Sequence, residues 1–178
     1  PLSTILKAVN SWSNNLCAEV LVLSLPHKVK RKTTFKNGLD MMRSFATKHL
    51  SWSDFFLTNG SGLFGDTRVK PQQMTELLAY MHRKQDRYPE FRPSMAVAGF
   101  DGTMKGRLSN LESAQIYAKT GTLDGVSGLS GYIRMDHGDM IAFSILQNDF
   151  KTSARPIRKL QDEIVRALVE FSTDTAEK

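Results

Sequence analysis

Two short runs carry side chains of the kinds that proton and acyl transfer use. The first is Ser13-Asn14-Asn15, a hydroxyl followed by two amides. The second is Lys119-Thr120-Gly121, followed by Thr122: a cation, a hydroxyl, a residue without a side chain, and a second hydroxyl. Acyl transfer needs a nucleophile, a proton shuttle, an oxyanion hole and a grip on the substrate. Taken singly, each run is ordinary. Composition alone yields a Lys-Thr-Gly in roughly a few per cent of chains this long, and a Ser-x-Asn in about half. Ser13 could be a helix N-cap, Lys119 an exposed strand-end lysine, and Gly121 a turn residue.

Other candidates carry less. Gly60-Ser61-Gly62 is not a nucleophile elbow, because position 59 is Asn, and it reads as a turn. His27, His49, His82 and His137 lack mutual metal spacing and read as surface or loop residues. Cys17 stands alone among Leu16, Ala18 and Val20; it excludes a disulfide-stapled mini-protein and reads as a small core residue.

The elements that must position these residues follow from apolar spacing. Leu2, Ile5, Leu6 and Val9 mark a first helix, with Ser3 placed to cap it. A break at 10–15 holds Ser13. Leu16, Val20 and Leu23 mark a second helix, stopped by Pro26. Leu39, Met42, Ala46 and Leu50 mark a third. Phe55 to Thr58 reads as a short extended segment, and Pro71 as the first residue of a helix carrying Met74, Leu77, Leu78 and Met81. Residues 89–111, rich in Pro and Gly, read as loop with short turns of helix. Then the period changes. Ile116–Thr120, Ser127–Met135 and Met140–Leu146 form an antiparallel meander with tight turns. A last helix starts at Pro156, with Ile157, Leu160, Ile164, Leu168 and Phe171 on one face. Helices, then a meander, then a covering helix give an α+β class. One domain fits the length, divided into a mainly helical part, 1–112, with Ser-x-Asn, and a β-meander part, 113–178, with Lys-Thr-Gly.

Composition narrows the function. Hydrophobic residues are 40% and charged residues 24%, enough for a buried core. The longest apolar stretches fall far short of the roughly 20 residues of a membrane span. The net charge of +6 is scattered; its densest run, Lys28-Val-Lys-Arg-Lys32, reads as a solvated loop. No zinc-finger, ribonucleoprotein or basic-heptad pattern supports nucleic-acid binding. No signal peptide is visible at Pro1-Leu-Ser-Thr4, which leaves the location open.

The stretch Ala118–Ile133, Ala-Lys-Thr-Gly-Thr-Leu-Asp-Gly-Val-Ser-Gly-Leu-Ser-Gly-Tyr-Ile, resembles the third and fourth strands of the penicillin-binding-protein-4 type of D-alanyl-D-alanine carboxypeptidase/endopeptidase. Lys7 to Glu19, Asn59-Gly-Ser-Gly-Leu63 and Ala96-Val-Ala-Gly-Phe-Asp-Gly-Thr103 resemble the same family in the same order. Asn59 departs from it; the family usually has Asp there. The resemblance runs from about residue 2 to 150. It implies a β-lactamase/transpeptidase-like fold, a serine D,D-peptidase acting on peptidoglycan stem peptides, β-lactams as inhibitors, no metal or organic cofactor, and a periplasmic or extracytoplasmic location. By the same resemblance, Ser13 would relay a proton to the leaving amine and Asn15 would bond the penultimate carbonyl. Lys119 and Thr120 would hold the terminal carboxylate, Gly121 would make room for the substrate backbone, and Thr122 N–H would serve the oxyanion.

The family's Ser-x-x-Lys nucleophile occurs nowhere in the 178 residues; Thr4-Ile-Leu-Lys7 is the nearest imitation. The simplest expectation is a C-terminal portion of a longer enzyme, inactive alone. The family sheet has five strands, so Met140–Leu146 is expected to be an open apolar edge, paired by the remainder of the protein, by a symmetry-related chain, or not at all. Two other readings stand beside this one: a serine β-lactamase, which shares the Lys-Thr-Gly strand, and a non-catalytic peptidoglycan-binding or structural module.

Overall fold

A computed structural model describes residues 1–111 and 113–176. Residue 112, where the sequence divides the chain, and residues 177–178 lie outside the described residues. The helices are α1 (Leu2–Asn10), α2 (Asn15–Ser24), α3 (Phe35–Leu50), α4 (Pro71–Arg83), α5 (Tyr88–Ser94) and α6 (Ala154–Ala176). The strands are β1 (Ala96–Val97), β2 (Ala114–Leu123), β3 (Val126–Met135) and β4 (Met140–Asn148). They form one antiparallel sheet in the order β1-β2-β3-β4. The fold is α+β.

The sheet is covered on both faces, and β3 shows why. Leu129 and Ile133 face α6, where they join Ile116, Ala118, Phe143, Val165 and Val169. Tyr132 faces the opposite way into Leu78, Tyr88, Met95 and Tyr117, under α4 and α5. Leu129, Tyr132 and Ile133 have 0% exposure, and each side chain so buried contributes about 1.5–3 kcal/mol of apolar transfer. The Tyr132 hydroxyl donates to the Leu78 carbonyl at 2.7 Å, so its burial leaves no orphaned donor. Burial also pushes its phenol above the usual range. At the far end of the sheet, buried Gln161 of α6 donates to Ser127 Oγ and Gln147 Oε1, both at 3.0 Å. Its own carbonyl oxygen accepts from Arg107 at 3.1 Å. Every polar arm of Gln161 is thereby used, which pins the start of α6 over β3 and β4.

Several sequence expectations shift. The short turns of helix expected within 89–111 include α5, which starts at Tyr88 with Pro89 in its first turn, where no intrahelical N–H is needed. Ser3 does not cap α1; Pro1 precedes it with no side-chain bond. The last helix begins at Ala154, two residues before Pro156. His82 lies on α4 and stacks edge-on against Tyr88 at 4.7 Å, so it is not a loop residue. His49 lies in the last turn of α3, 5.1 Å from the Phe45 ring. Cys17 is partly exposed; Ala18 and Val22 are the buried face of α2. The face that Leu16 and Val20 mark is open, at 73% and 52% exposure, as are Leu2, Ile5 and Trp12 nearby. β4 pairs β3 along Met140–Asn148 and, among the described residues, has no partner on its other edge.

Candidate active site

α1 ends at Asn10, and the chain turns through Ser11, Trp12 and Ser13 before α2 begins. Asn14 is the N-cap of α2: its side-chain oxygen accepts from Cys17 N–H at 2.9 Å. The cap is therefore Asn14 and not Ser13. Ser13 instead sits in the left-handed region with φ 56°, a conformation that costs a non-glycine residue about 1 kcal/mol. That backbone aims its hydroxyl at β2.

Lys119 Nζ donates to Ser13 Oγ at 2.8 Å and to the Thr120 carbonyl at 2.6 Å. These two partners are uncharged. Burial of the ammonium holds its pKa down, from 10.5 to about 8. A lysine shifted this way, touching a strained serine, is the pattern of a functional site.

The register of β2 decides what its backbone offers. Antiparallel neighbours alternate between residues that exchange hydrogen bonds and residues that do not. The Ile116 carbonyl accepts from Ala98 N–H on the β1 side, at 3.0 Å. Residues 118, 120 and 122 share its phase and turn their backbone groups away from β3. β1 pairs only with Tyr117 and Ala118. Beyond them, the Thr120 and Thr122 N–H groups face an open edge. A Cβ at Gly121 would meet nothing within 4 Å, so the face of β2 that carries Lys119 is open at this position.

Strand alternation sends Thr120 and Thr122 to the α6 side and Lys119 to the Ser13 side. Thr120 Oγ1 meets Thr103 Oγ1 at 2.8 Å, and Arg158 Nη2 of α6 donates to Thr122 Oγ1 at 3.1 Å. Thr103 is held in turn by its N–H, which donates to the Ser11 carbonyl at 3.0 Å. Asp101, two residues earlier, takes Lys7 Nζ at 2.6 Å and Val97 N–H at 2.7 Å. Burial works to raise the Asp101 pKa, but these bonds outweigh it and hold it below the usual carboxylate range.

Asn15 opens α2 exposed, at the rim of a cavity of about 540 Å³ shared with Leu16, Glu19, Ser61 and Phe64. Asn59 and Ser61 of the 59–62 turn line that open cavity. Glu19 accepts from Gly60 and Ser61 N–H at 3.1 and 2.9 Å. Partial burial works to raise Glu19, yet bonds from the Ser61 side chain and the two N–H groups hold it lowered. The departure at Asn59 has a local use: its amide donates to the Phe64 carbonyl, which a carboxylate could not do.

The structure thus brings Ser13 to Lys119 on β2, the strand that also carries Thr120, Gly121 and Thr122; Asn15 is exposed and lines the cavity beside the 59–62 turn, with no described contact to β2. Sequence reasoning missed Thr103, Arg158 and Glu19. Thr103 closes one of the quoted stretches; Arg158 carries no local signal among the chain's many basic residues. Among the described residues, no group of three or more His, Cys, Asp or Glu is placed to hold a metal.

A family model described as the D-Ala-D-Ala carboxypeptidase 3 (S13) family matches residues 1–170. The chain belongs to that family. It is 30% identical over 177 residues to the D-alanyl-D-alanine carboxypeptidase DacB of Haemophilus influenzae, covering 96% of this chain and 36% of that protein. It is 31% identical over 178 residues to the D-alanyl-D-alanine carboxypeptidase of an Actinomadura species, covering 96% of this chain and 32% of that protein. It therefore spans about a third of the length of these carboxypeptidases. Its fold matches crystalline penicillin binding protein 4 (dacB) of H. influenzae, complexed with a novel beta-lactam, with TM-score 0.82 and 27% identity, covering 95% of this chain and 42% of that one. The TLA-1 extended-spectrum β-lactamase shares the fold, with TM-score 0.71 at 18% identity over 96% of this chain and 63% of that one. The penicillin-binding-protein fold and family are those the four quoted stretches resemble.

Proposed function

We propose that this chain supplies the Ser-Asn-Asn and Lys-Thr-Gly walls of a serine D,D-peptidase, with the Ser-x-x-Lys nucleophile contributed by residues outside these 178. Its substrates are peptidoglycan stem peptides, cut at the terminal D-Ala-D-Ala bond or at the D-Ala–diaminopimelate cross-link. The observation that carries this reading is the 2.8 Å contact from Lys119 Nζ to Ser13 Oγ.

A charged lysine only donates, so Ser13 Oγ is the acceptor in that contact and its own proton is free. Ser13 can then pass that proton to the departing D-Ala amine. The Lys119 charge and the Thr120 hydroxyl hold the terminal carboxylate, and Asn15 bonds the penultimate carbonyl. The peptide lies antiparallel against the open stretch of β2, where Gly121 admits its backbone. Thr122 N–H is one oxyanion donor, and it needs no reorganisation because the strand already presents it. β-lactams, with a carboxylate and a reactive acyl group, enter the same groove as inhibitors.

The remainder of the protein covers two surfaces. One is the free edge of β4. The other is the open apolar face of α1, Trp12 and α2. A peptidoglycan substrate places the enzyme in the periplasm or at the outer face of the membrane.

Fluorescent penicillin tests this reading. The full-length protein is expected to form a covalent adduct that deacylates slowly, and the 178-residue chain alone none. An adduct on the isolated chain refutes an external nucleophile; fast turnover of the adduct makes the protein a β-lactamase instead.

A further inference from the structure

Ser13 and Lys119 meet through one hydrogen bond, but the elements that carry them are also joined through the 93–104 segment. We propose that Asp101 is a positioning residue of the reaction, which ties α1 to the end of the sheet and thereby holds the Ser13 hydroxyl against the Lys119 ammonium. The inference rests on the peptidase reading and extends it to a side chain that reading does not use.

Three observations carry it. The first is where the two carboxylate oxygens go. Asp101 Oδ2 accepts from Lys7 Nζ of α1 at 2.6 Å, and Oδ1 accepts from the Val97 N–H of β1 at 2.7 Å. Val97 pairs with Tyr117 and Ala96 with Ala118, the residues of β2 that lead into Lys119. In the other direction, α1 ends at Asn10 and runs straight into the turn that holds Ser13. One side chain therefore bridges the helix before Ser13 and the strand beside Lys119.

The second is that polar links do the joining. Within this chain no residue of α1 is fully buried, so apolar packing gives the helix little purchase on the sheet. Lys7 Nζ also donates to the Pro93 and Met95 carbonyls at 3.3 and 3.4 Å, and Asn10 Nδ2 donates to Ser94 Oγ at 2.8 Å. Asp101 is fixed to β1 a second time, by its own N–H on the Val97 carbonyl at 3.1 Å. Ser13 needs such a frame, because its φ of 56° is a backbone that persists only where the surroundings over-determine it.

The third is the charge type at position 101. A carboxylate accepts from an ammonium and an N–H at once, one on each oxygen. An amide has a single acceptor oxygen and would turn its NH₂ toward one of the two donors. The Lys7 and Asp101 side chains are 35% and 21% exposed, so the pair is partly shielded and stronger than a fully solvated one.

The test uses the full-length protein, as wild type, Asp101→Asn, Lys7→Met, the double variant and Lys7→Arg, with thermal melts to verify folding. Acylation by fluorescent penicillin and hydrolysis of a D-Ala-D-Ala peptide read the chemistry. Acetylation of Lys119 as a function of pH, followed by mass spectrometry, reads its protonation without turnover. Asp101→Asn and Lys7→Met are each expected to lower kcat by about 10- to 100-fold, the reach of a small misplacement, with KM within about twofold. The double variant is expected to lose no more than the worse single one, since both break one link. Lys7→Arg keeps a cation and its donors and is expected to stay within about threefold of wild type. Burial is what holds the Lys119 pKa at about 8; in Asp101→Asn the released Ser13 lets water reach the ammonium, and the midpoint is expected to rise toward 10.5. Lys7→Met gives the same reading should Asp101→Asn fail to fold. An unchanged Lys119 midpoint in the folded variant overturns the positioning role, and so do losses that multiply in the double variant or fall on KM alone. A wild type that neither acylates nor hydrolyses overturns the peptidase reading, while the Lys119 midpoints still decide whether Asp101 holds the Ser13 contact.

Discussion

Gly102 lies so close to Ser11 that a Cβ on it would stand 2.3 Å from the Ser11 hydroxyl oxygen and 2.4 Å from its carbonyl oxygen. Gly102 also has φ +55°. This contact joins the turn after α1, which carries Ser13, to the loop that carries Thr103 and so to Thr120.

Gly102→Ala is therefore expected to destabilise the fold by about 2–4 kcal/mol, from left-handed strain plus overpacking against backbone. Gly106 has no positive φ and open space around it, so Gly106→Ala should stay within about 0.5 kcal/mol of wild type. Urea unfolding of the two variants gives the comparison. Equal midpoints would mean that the loop is not locked to α1.

Ser13 combines a left-handed backbone with a hydroxyl bonded to Lys119. Ser13→Gly should be more stable than Ser13→Ala by about 1 kcal/mol, since glycine adopts φ 56° without strain. Both variants of the full-length protein should lose about 10²- to 10⁴-fold in hydrolysis if the hydroxyl relays a proton. A Ser13→Ala protein as stable as Ser13→Gly, or as active as wild type, would contradict this.

Lys119 carries a pH signature of definite sign. Its folded pKa of about 8 lies below its ordinary value of 10.5. Between those values the unfolded chain binds more protons, so the Lys119 contribution to stability rises with pH over that window. Lys119→Met removes the buried charge and should flatten the rise. The difference in stability between wild type and Lys119→Met, followed from pH 7 to 9.5, should shift in favour of wild type as pH increases. Binding of a carboxylate-terminated peptide should move the other way and weaken above about pH 8, as the ammonium is lost. A flat difference across that window would show that Lys119 is not desolvated.

A change of pattern with tight turns marked β2, β3 and β4, which are buried on both faces, and helical spacing marked α1 to α4 and α6. The bounds of α5 were not legible behind Pro89 and Pro93, whose helical tolerance depends on where the helix starts. Leu16 and Val20 marked α2 by their spacing, yet both are exposed. Spacing reports that a face is apolar, whereas exposure depends on what is there to cover it.

Sequence by itself determined which residue types stand at 13–15 and 119–122, and with them the family, since local runs in fixed order survive in a linear text. Only the tertiary structure decided that Ser13 and Lys119, 106 residues apart, share a hydrogen bond, and that Thr103 and Arg158 reach the same strand. Those pairings arise from packing the sheet between α6 and the helical layer, and no spacing along the chain encodes a distance through space.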